Sequence, residues 1–299
     1  MLHDHYPAPA EVDAWCDSLL ANARARQVTV SVPEVQQYQY QLNVPHSTGN
    51  HYVEFTTPER TFYGYWQPAT TSRAPVLFHV PGYGAEMSAH PTLVTEGFNV
   101  LHINPLGYCT PTGTSNPDIG WSVMPDSVTS KGEAGYVDWF SDAIVAVEWA
   151  LSQACVDETR IGFFGTSQGG GTALILGSLF AGTTSAVCGD VPYLTNYPLM
   201  ATQNDKGAYN ACLSVMTGGG TPDEWRALGF IDTLSHAHRM NHPVLLTAGS
   251  EDGVTPPVTI ESLFDILPGT RSYTYLHQQG HGYTTPFLRL ASAWFNLYV

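Results

Sequence analysis

Ile161-Gly162-Phe163-Phe164-Gly165-Thr166-Ser167-Gln168-Gly169-Gly170-Gly171 is an apolar run that ends in Gly-Thr-Ser-Gln-Gly. It opens into the Ala/Leu-rich stretch Thr172-Ala173-Leu174-Ile175-Leu176. That order reads as strand, sharp turn and helix, with a serine at the apex. Gly165 and Gly169 leave room where strand and helix come together, because a Cβ would clash there. A helix N-terminus turns its free N–H groups and the positive end of its dipole toward the residue before it. Ser167 is thereby a candidate nucleophile toward a carbonyl carbon. Taken alone, the pattern also fits an ordinary serine in a glycine-rich turn, so the rest of the chain has to decide.

Short continuous apolar runs recur on both sides of this segment: Pro75 to Val80, Phe98 to Ile103, Ser185 to Cys188, Pro243 to Ala248 and Arg271 to Leu276. Strands covered on both faces of a parallel sheet look like this. Helical spacing separates several of them, most clearly at Tyr136 to Ala154, Gly170 to Phe180 and Pro286 to Tyr298. The alternation predicts an α/β architecture with a mostly parallel central sheet flanked by helices. An N-terminal helix over Glu11 to Arg26 precedes it. Two alternating runs, Tyr52 to Thr56 and Thr61 to Trp66, form an expected antiparallel hairpin around Pro58-Glu59-Arg60. Residues 1–299 read as one domain. The segment of about 190–239, rich in Tyr, Gly and Pro, is expected to be a cap-like insertion beside the site.

Charged residues are only 12% of the 299-residue chain, and the formal charge of −15 comes with no Lys/Arg cluster. That excludes a basic nucleic-acid or anionic-membrane surface and favours a neutral or cationic small substrate. The N-terminus has neither a basic segment nor an apolar one, so no secretory signal is expected. No apolar run approaches membrane-spanning length. The five cysteines (Cys16, Cys109, Cys155, Cys188, Cys212) are scattered without a C-x-x-C. They read as reduced thiols of a cytoplasmic protein, not as a disulfide frame or metal site.

A serine hydroxyl needs a base, and the base needs an orienting group. In open α/β sheets such partners gather at the carboxyl ends of strands. After Val244 to Ala248 comes Gly249-Ser250-Glu251-Asp252-Gly253-Val254-Thr255-Pro256-Pro257, which makes Asp252 the candidate acid. Glu251 beside it and Asp190 after the preceding strand compete for the role. After the last strand, His281 stands between Gly280 and Gly282 as candidate base. His277 and His281 have metal-pair spacing, but Gly280 argues against the helix such a pair needs. No metal or cofactor is expected. The Ser, Asp, His order is that of α/β-hydrolases. An oxyanion formed at Ser167 also needs donors. The backbone N–H groups of Gln168 and of Tyr83, in the loop Pro81-Gly82-Tyr83-Gly84-Ala85, are the candidates. Tyr193, Tyr197, Tyr209 and Trp225 are candidate pocket residues, with packing as the alternative for each.

These motifs resemble the acetyl xylan esterase/cephalosporin C deacetylase family of α/β-hydrolases along nearly the whole chain. The resemblance rests on Val12-Asp13-Ala14-Trp15, Gly82-Tyr83-Gly84, Gly165-Thr166-Ser167-Gln168-Gly169-Gly170, Gly189-Asp190-Val191-Pro192-Tyr193-Leu194, Asp252 before Pro256-Pro257, and Gly280-His281. It implies hydrolysis of acetyl esters on small sugars or xylo-oligosaccharides, and a doughnut-like homo-oligomer, often a hexamer, whose central cavity limits substrate size. A broader carboxylesterase, a lactonase, a peptidase or a catalytically silent binding module are the alternatives on this scaffold. Two positions depart from the family pattern. Pro105-Leu106-Gly107-Tyr108 stands where the family carries Arg-Gly-Gln, and Gly282 stands where it carries Glu.

Overall fold

The computed structural model describes residues 3–33, 49–83, 88–107, 128–129, 135–282 and 284–299. In chain order these form α1 (Pro9–Arg24), β1 (Thr29–Ser31), β2 (His51–Thr56), β3 (Thr61–Gln67), β4 (Ala74–Val80), α2 (Pro91–Thr95), β5 (Asn99–Asn104), α3 (Tyr136–Leu151), β6 (Val156–Thr166), α4 (Gln168–Leu179) and β7 (Thr184–Asp190). Four short helices follow, α5 (Tyr197–Ala201), α6 (Asn210–Leu213), α7 (Pro222–Ile231) and α8 (Thr233–His236). The chain then runs through β8 (Val244–Gly249), α9 (Pro257–Ile266), β9 (Arg271–Leu276) and α10 (Thr285–Tyr298).

The strands form one sheet in the order β1-β2-β3-β5-β4-β6-β7-β8-β9. The β1, β2, β3 and β5 pairings are antiparallel, and the expected hairpin is β2 with β3. From β5 through β4 to β9 every pairing is parallel. Strand residues alternate between two cores. Val76, Phe78 and Val80 of β4 enter the larger core with residues of α1, α3 and α4. Leu77 between them enters a second core, closed by Leu93 of α2 and Phe287, Ala291 and Phe295 of α10. Period-two alternation with both faces covered produces the unbroken apolar runs of the sequence.

All twelve residues of α4 are buried, which fits a helix apolar on every side, lying between the sheet and other helices. Its start is brought tight against the sheet. A Cβ on Gly169 would stand 2.1 Å from the Val80 carbonyl oxygen, and one on Gly165 would stand 2.5 Å from the Gly169 carbonyl. Only glycine permits that approach.

Departures from the sequence expectations are local. α9 starts at Pro257, where the sequence suggested a loop. Proline is pre-organised for the first helical turn, so Pro256-Pro257 ends the loop and opens the helix. β1 was not expected, because its three residues are all exposed and carry no alternation. Leu106, at the altered family position after β5, adopts φ 62°. Its backbone N–H donates to Asp142 Oδ2 at 2.9 Å, and Asp142 receives Arg26 at 2.7 Å and Arg60 at 3.2 Å. Arginines from outside the loop thus hold this turn. Burial raises the Asp142 carboxyl above its ordinary range, against the pull of Arg60 and Arg26. Tyr108, Gly84 and Ala85 lie outside the described residues.

Candidate active site

Ser167 sits between β6 and α4 with φ 59° and ψ −121°, a conformation rare for a residue with a side chain. Backbone bonds on both sides hold it there. Its N–H donates to the Asp190 carbonyl at 2.8 Å, and its carbonyl accepts from Gly171 at 3.0 Å and Tyr193 at 2.9 Å. The ends of parallel strands β6 and β7 thereby converge on the serine. The strained turn lifts the hydroxyl off the sheet, as a nucleophile elbow requires.

His281, in the loop after β9, places Nε2 2.8 Å from Ser167 Oγ. Its Nδ1 lies 2.9 Å from Asp252 Oδ2. A neutral imidazole with its proton on Nδ1 donates to Asp252 and leaves Nε2 free to accept from the serine. The Asp252 side chain is fully buried, whereas that of His281 keeps 22% of its surface exposed. Backbone N–H groups of Val254 (2.8 Å) and Thr255 (2.9 Å) donate to Asp252 Oδ1. Burial alone would raise the Asp252 carboxyl. The His281 hydrogen bond and these backbone donors outweigh it, so the carboxyl lies below its ordinary value.

The two rival acids are placed elsewhere. Asp190 receives Thr166 Oγ1 at 2.9 Å and the Thr247 hydroxyl, and burial raises its carboxyl to about 7. Glu251 is exposed, and its N–H donates to the Gln279 carbonyl at 2.8 Å. Among the described residues neither is hydrogen-bonded to His281, whose Nδ1 goes to Asp252. Thr255 is the residue the sequence reading missed. Its hydroxyl lies 3.0 Å from both Asp252 Oδ2 and the Val191 carbonyl, and 3.2 Å from His281 Nδ1. A single threonine in a loop carries no sequence signal for that position.

A cavity of about 530 Å³ opens on this group. Its described lining is Tyr83, Ser167, Gln168, Tyr193, Gly207, Ala208, Asn210, Ala211, Val254 and His281. Gly82 brings the Tyr83 loop over the serine. A Cβ there would stand 3.2 Å from the Thr166 carbonyl oxygen and 3.7 Å from Ser167 Cβ. Both expected oxyanion donors, Tyr83 and Gln168, therefore border the cavity. The Gln168 side chain is buried, with Nε2 and Oε1 both lacking a hydrogen-bond partner among the described residues.

Of the four aromatic pocket candidates, only Tyr193 is in that lining. Tyr197 and Tyr209 are wholly buried, packed edge to face with each other and with Tyr193. Trp225 stacks on His3 at 4.2 Å between ring centroids, and its indole N–H donates to the Gly219 carbonyl. These three are packing residues, because helices α5 to α8 need an apolar core of their own. The small residues Gly207, Ala208 and Ala211 of the same segment face the cavity instead.

A mostly parallel sheet with a strained serine on the strand-to-helix turn is an α/β-hydrolase fold. The family described as acetyl xylan esterase (AXE1) matches residues 3–297, and the chain belongs to that family. The acetyl esterase Axe7A of Xylanibacter ruminicola is 23% identical over 292 residues, covering 89% of this chain. This chain spans 62% of the length of that relative. Among solved structures, acetyl xylan esterase 1 from Thermoanaerobacterium sp. JW/SL YS485 superposes with a TM-score of 0.75 at 19% identity, over 98% of this chain and 95% of that one. The acetyl xylan esterase from Paenibacillus sp. R4 gives 0.74 at 19%, over 99% and 98%. The acylaminoacyl peptidase of Pyrococcus horikoshii gives 0.67 at 17%, over 84% of this chain but 42% of that one. Among the described residues no helix is long and apolar enough to cross a membrane.

Proposed function

We propose that the protein is a serine esterase that removes acetyl groups from small molecules, acetylated sugars or xylo-oligosaccharides being the substrate class. The carrying observation is the hydrogen-bonded chain from Ser167 Oγ through both ring nitrogens of His281 to Asp252, opening on one cavity. Family membership supports the acetyl preference, as do the small residues Gly207, Ala208 and Ala211 in the cavity wall.

In the proposed reaction His281 Nε2 takes the Ser167 proton as Oγ bonds to the acetyl carbonyl carbon. Asp252 holds the ring and stabilises the imidazolium. The oxyanion is stabilised by the backbone N–H groups of Tyr83 and Gln168. The C–O bond to the sugar then breaks, and the departing alkoxide takes the proton from His281. Water attacks the acetyl-serine by the same route, giving acetate and restoring the hydroxyl. The proposed assembly is a homo-oligomer, hexameric by family resemblance.

The test is a rate series on chromogenic acetate, butyrate and peptide substrates, followed by acetylated xylo-oligosaccharides of increasing length. The proposal expects acetate to exceed butyrate and peptide in kcat/KM. Equal or greater activity on the peptide would assign the site to the peptidases of this fold instead.

A further inference from the structure

We propose a second site, a buried metal centre formed by His79, His90 and His102 and suited to zinc or a similar borderline divalent transition-metal ion. One ring nitrogen of each histidine lies within 4.8 Å of those of the other two. All three side chains are buried, at 3%, 5% and 0% relative exposure. The fold creates this meeting point. His79 of β4 and His102 of β5 are register partners on adjacent parallel strands, so their side chains leave the sheet on one face. His90 caps the start of α2, with its ring 4.3 Å from that of His79. Phe164, the register partner of His79 on β6, closes the group from the other side. Its ring centroid lies 4.7 Å from His79 and 5.0 Å from His90.

Hydrogen bonding leaves this cluster incomplete. His79 Nδ1 and His102 Nδ1 are 2.7 Å apart, and the Ser88 N–H donates to His102 Nδ1 at 3.3 Å. His102 Nε2 is buried and has no hydrogen-bond partner among the described residues, and neither has His90 Nε2. Buried polar nitrogens are ordinarily satisfied, so two orphans in one cluster call for an occupant.

Imidazole nitrogens suit zinc, copper, nickel or iron. Among the described residues no carboxylate joins the three, which disfavours calcium and magnesium. Tetrahedral ligands about 2.05 Å from zinc lie about 3.3 Å from one another, so the rings must adjust by about 1.5 Å or less to close on an ion. A hydroxide or water completes the fourth position. The centre also has a structural consequence. His79 is four residues before Tyr83 and His90 seven after it. An ion held by both would fasten the chain on either side of Tyr83, which borders the Ser167 cavity.

The test uses tag-free full-length protein, stripped with a chelator and titrated with zinc alone, read by calorimetry, metal analysis and thermal melting. Bound zinc approaching one equivalent per chain, with a raised melting temperature, is expected for the wild type. His90→Gln and His102→Gln, checked for folding by circular dichroism, should each lose that uptake. Two results would overturn the proposal: wild type that takes up no zinc, or uptake retained in a folded His102→Gln variant. The wild-type titration decides even where a variant fails to fold. None of these readouts involves an ester, so the result is independent of the esterase reading.

Discussion

Asp190→Asn isolates the electrostatic cost of building this turn. Asp190 ends β7 fully buried, and its backbone carbonyl accepts the Ser167 N–H. Burial lifts its carboxyl from 3.8 to about 7; the hydroxyls of Thr247 and Thr166 and the charge of His281 oppose the rise, and Asp252 adds to it. The folded chain therefore binds a proton between roughly pH 4 and pH 7 that the unfolded chain has already lost. The resulting contribution to stability is complete below the unfolded pKa and is lost as pH rises through the folded one. A shift of about 3 pH units, at about 1.4 kcal/mol each, gives about 4 kcal/mol as an upper bound. Asparagine has the shape of the protonated acid and cannot ionise. Urea unfolding of both proteins from pH 4.5 to 8.5 should show the variant gaining on wild type as pH rises, with the gain levelling off above pH 8. A stability difference that stays constant across this range, or moves the other way, would refute the reasoning.

Asp252→Asn should leave the fold intact but present His281 in the wrong tautomer. Hydrolysis of a chromogenic acetate should fall on the order of 10³- to 10⁴-fold in kcat, with KM changed far less. Gly169→Ala drives a Cβ to 2.1 Å from the Val80 carbonyl. Backbone lies on both sides of that contact, so thermal melting should show a loss of at least about 3 kcal/mol or no soluble protein. Gln168→Met removes a buried amide with no hydrogen-bond partner. Its stability by denaturant titration should stay within about 1 kcal/mol of wild type, or rise.

Strand ends and chain order made much of the site legible. Ser167, Asp252 and His281 were each placed at the carboxyl end of a strand, and the structure brings His281 within hydrogen-bond distance of both Ser167 and Asp252. The same reading left Tyr193, Tyr197, Tyr209 and Trp225 open between pocket and packing. Aromatic residues in an irregular segment look alike whether they face a cavity or fill a core, and here all four are buried in the core, with Tyr193 also in the described cavity lining. The histidine cluster was invisible for a different reason. His79, His90 and His102 are spaced 11 and 12 residues apart, which matches no ligand motif. The β4–β5 register, set by tertiary pairing, makes His79 and His102 neighbours, and the start of α2 brings His90 to them. Thr255 is likewise recognisable only once Asp252, Val191 and His281 surround it.

Fluorophosphonate labelling followed by peptide mapping tests the central claim most directly, because the probe reacts only with an activated nucleophile. The account predicts a single adduct on Ser167, absent from Ser167→Ala and strongly reduced in His281→Ala. A folded wild-type protein that stays unlabelled, or one that carries its adduct elsewhere, would contradict it.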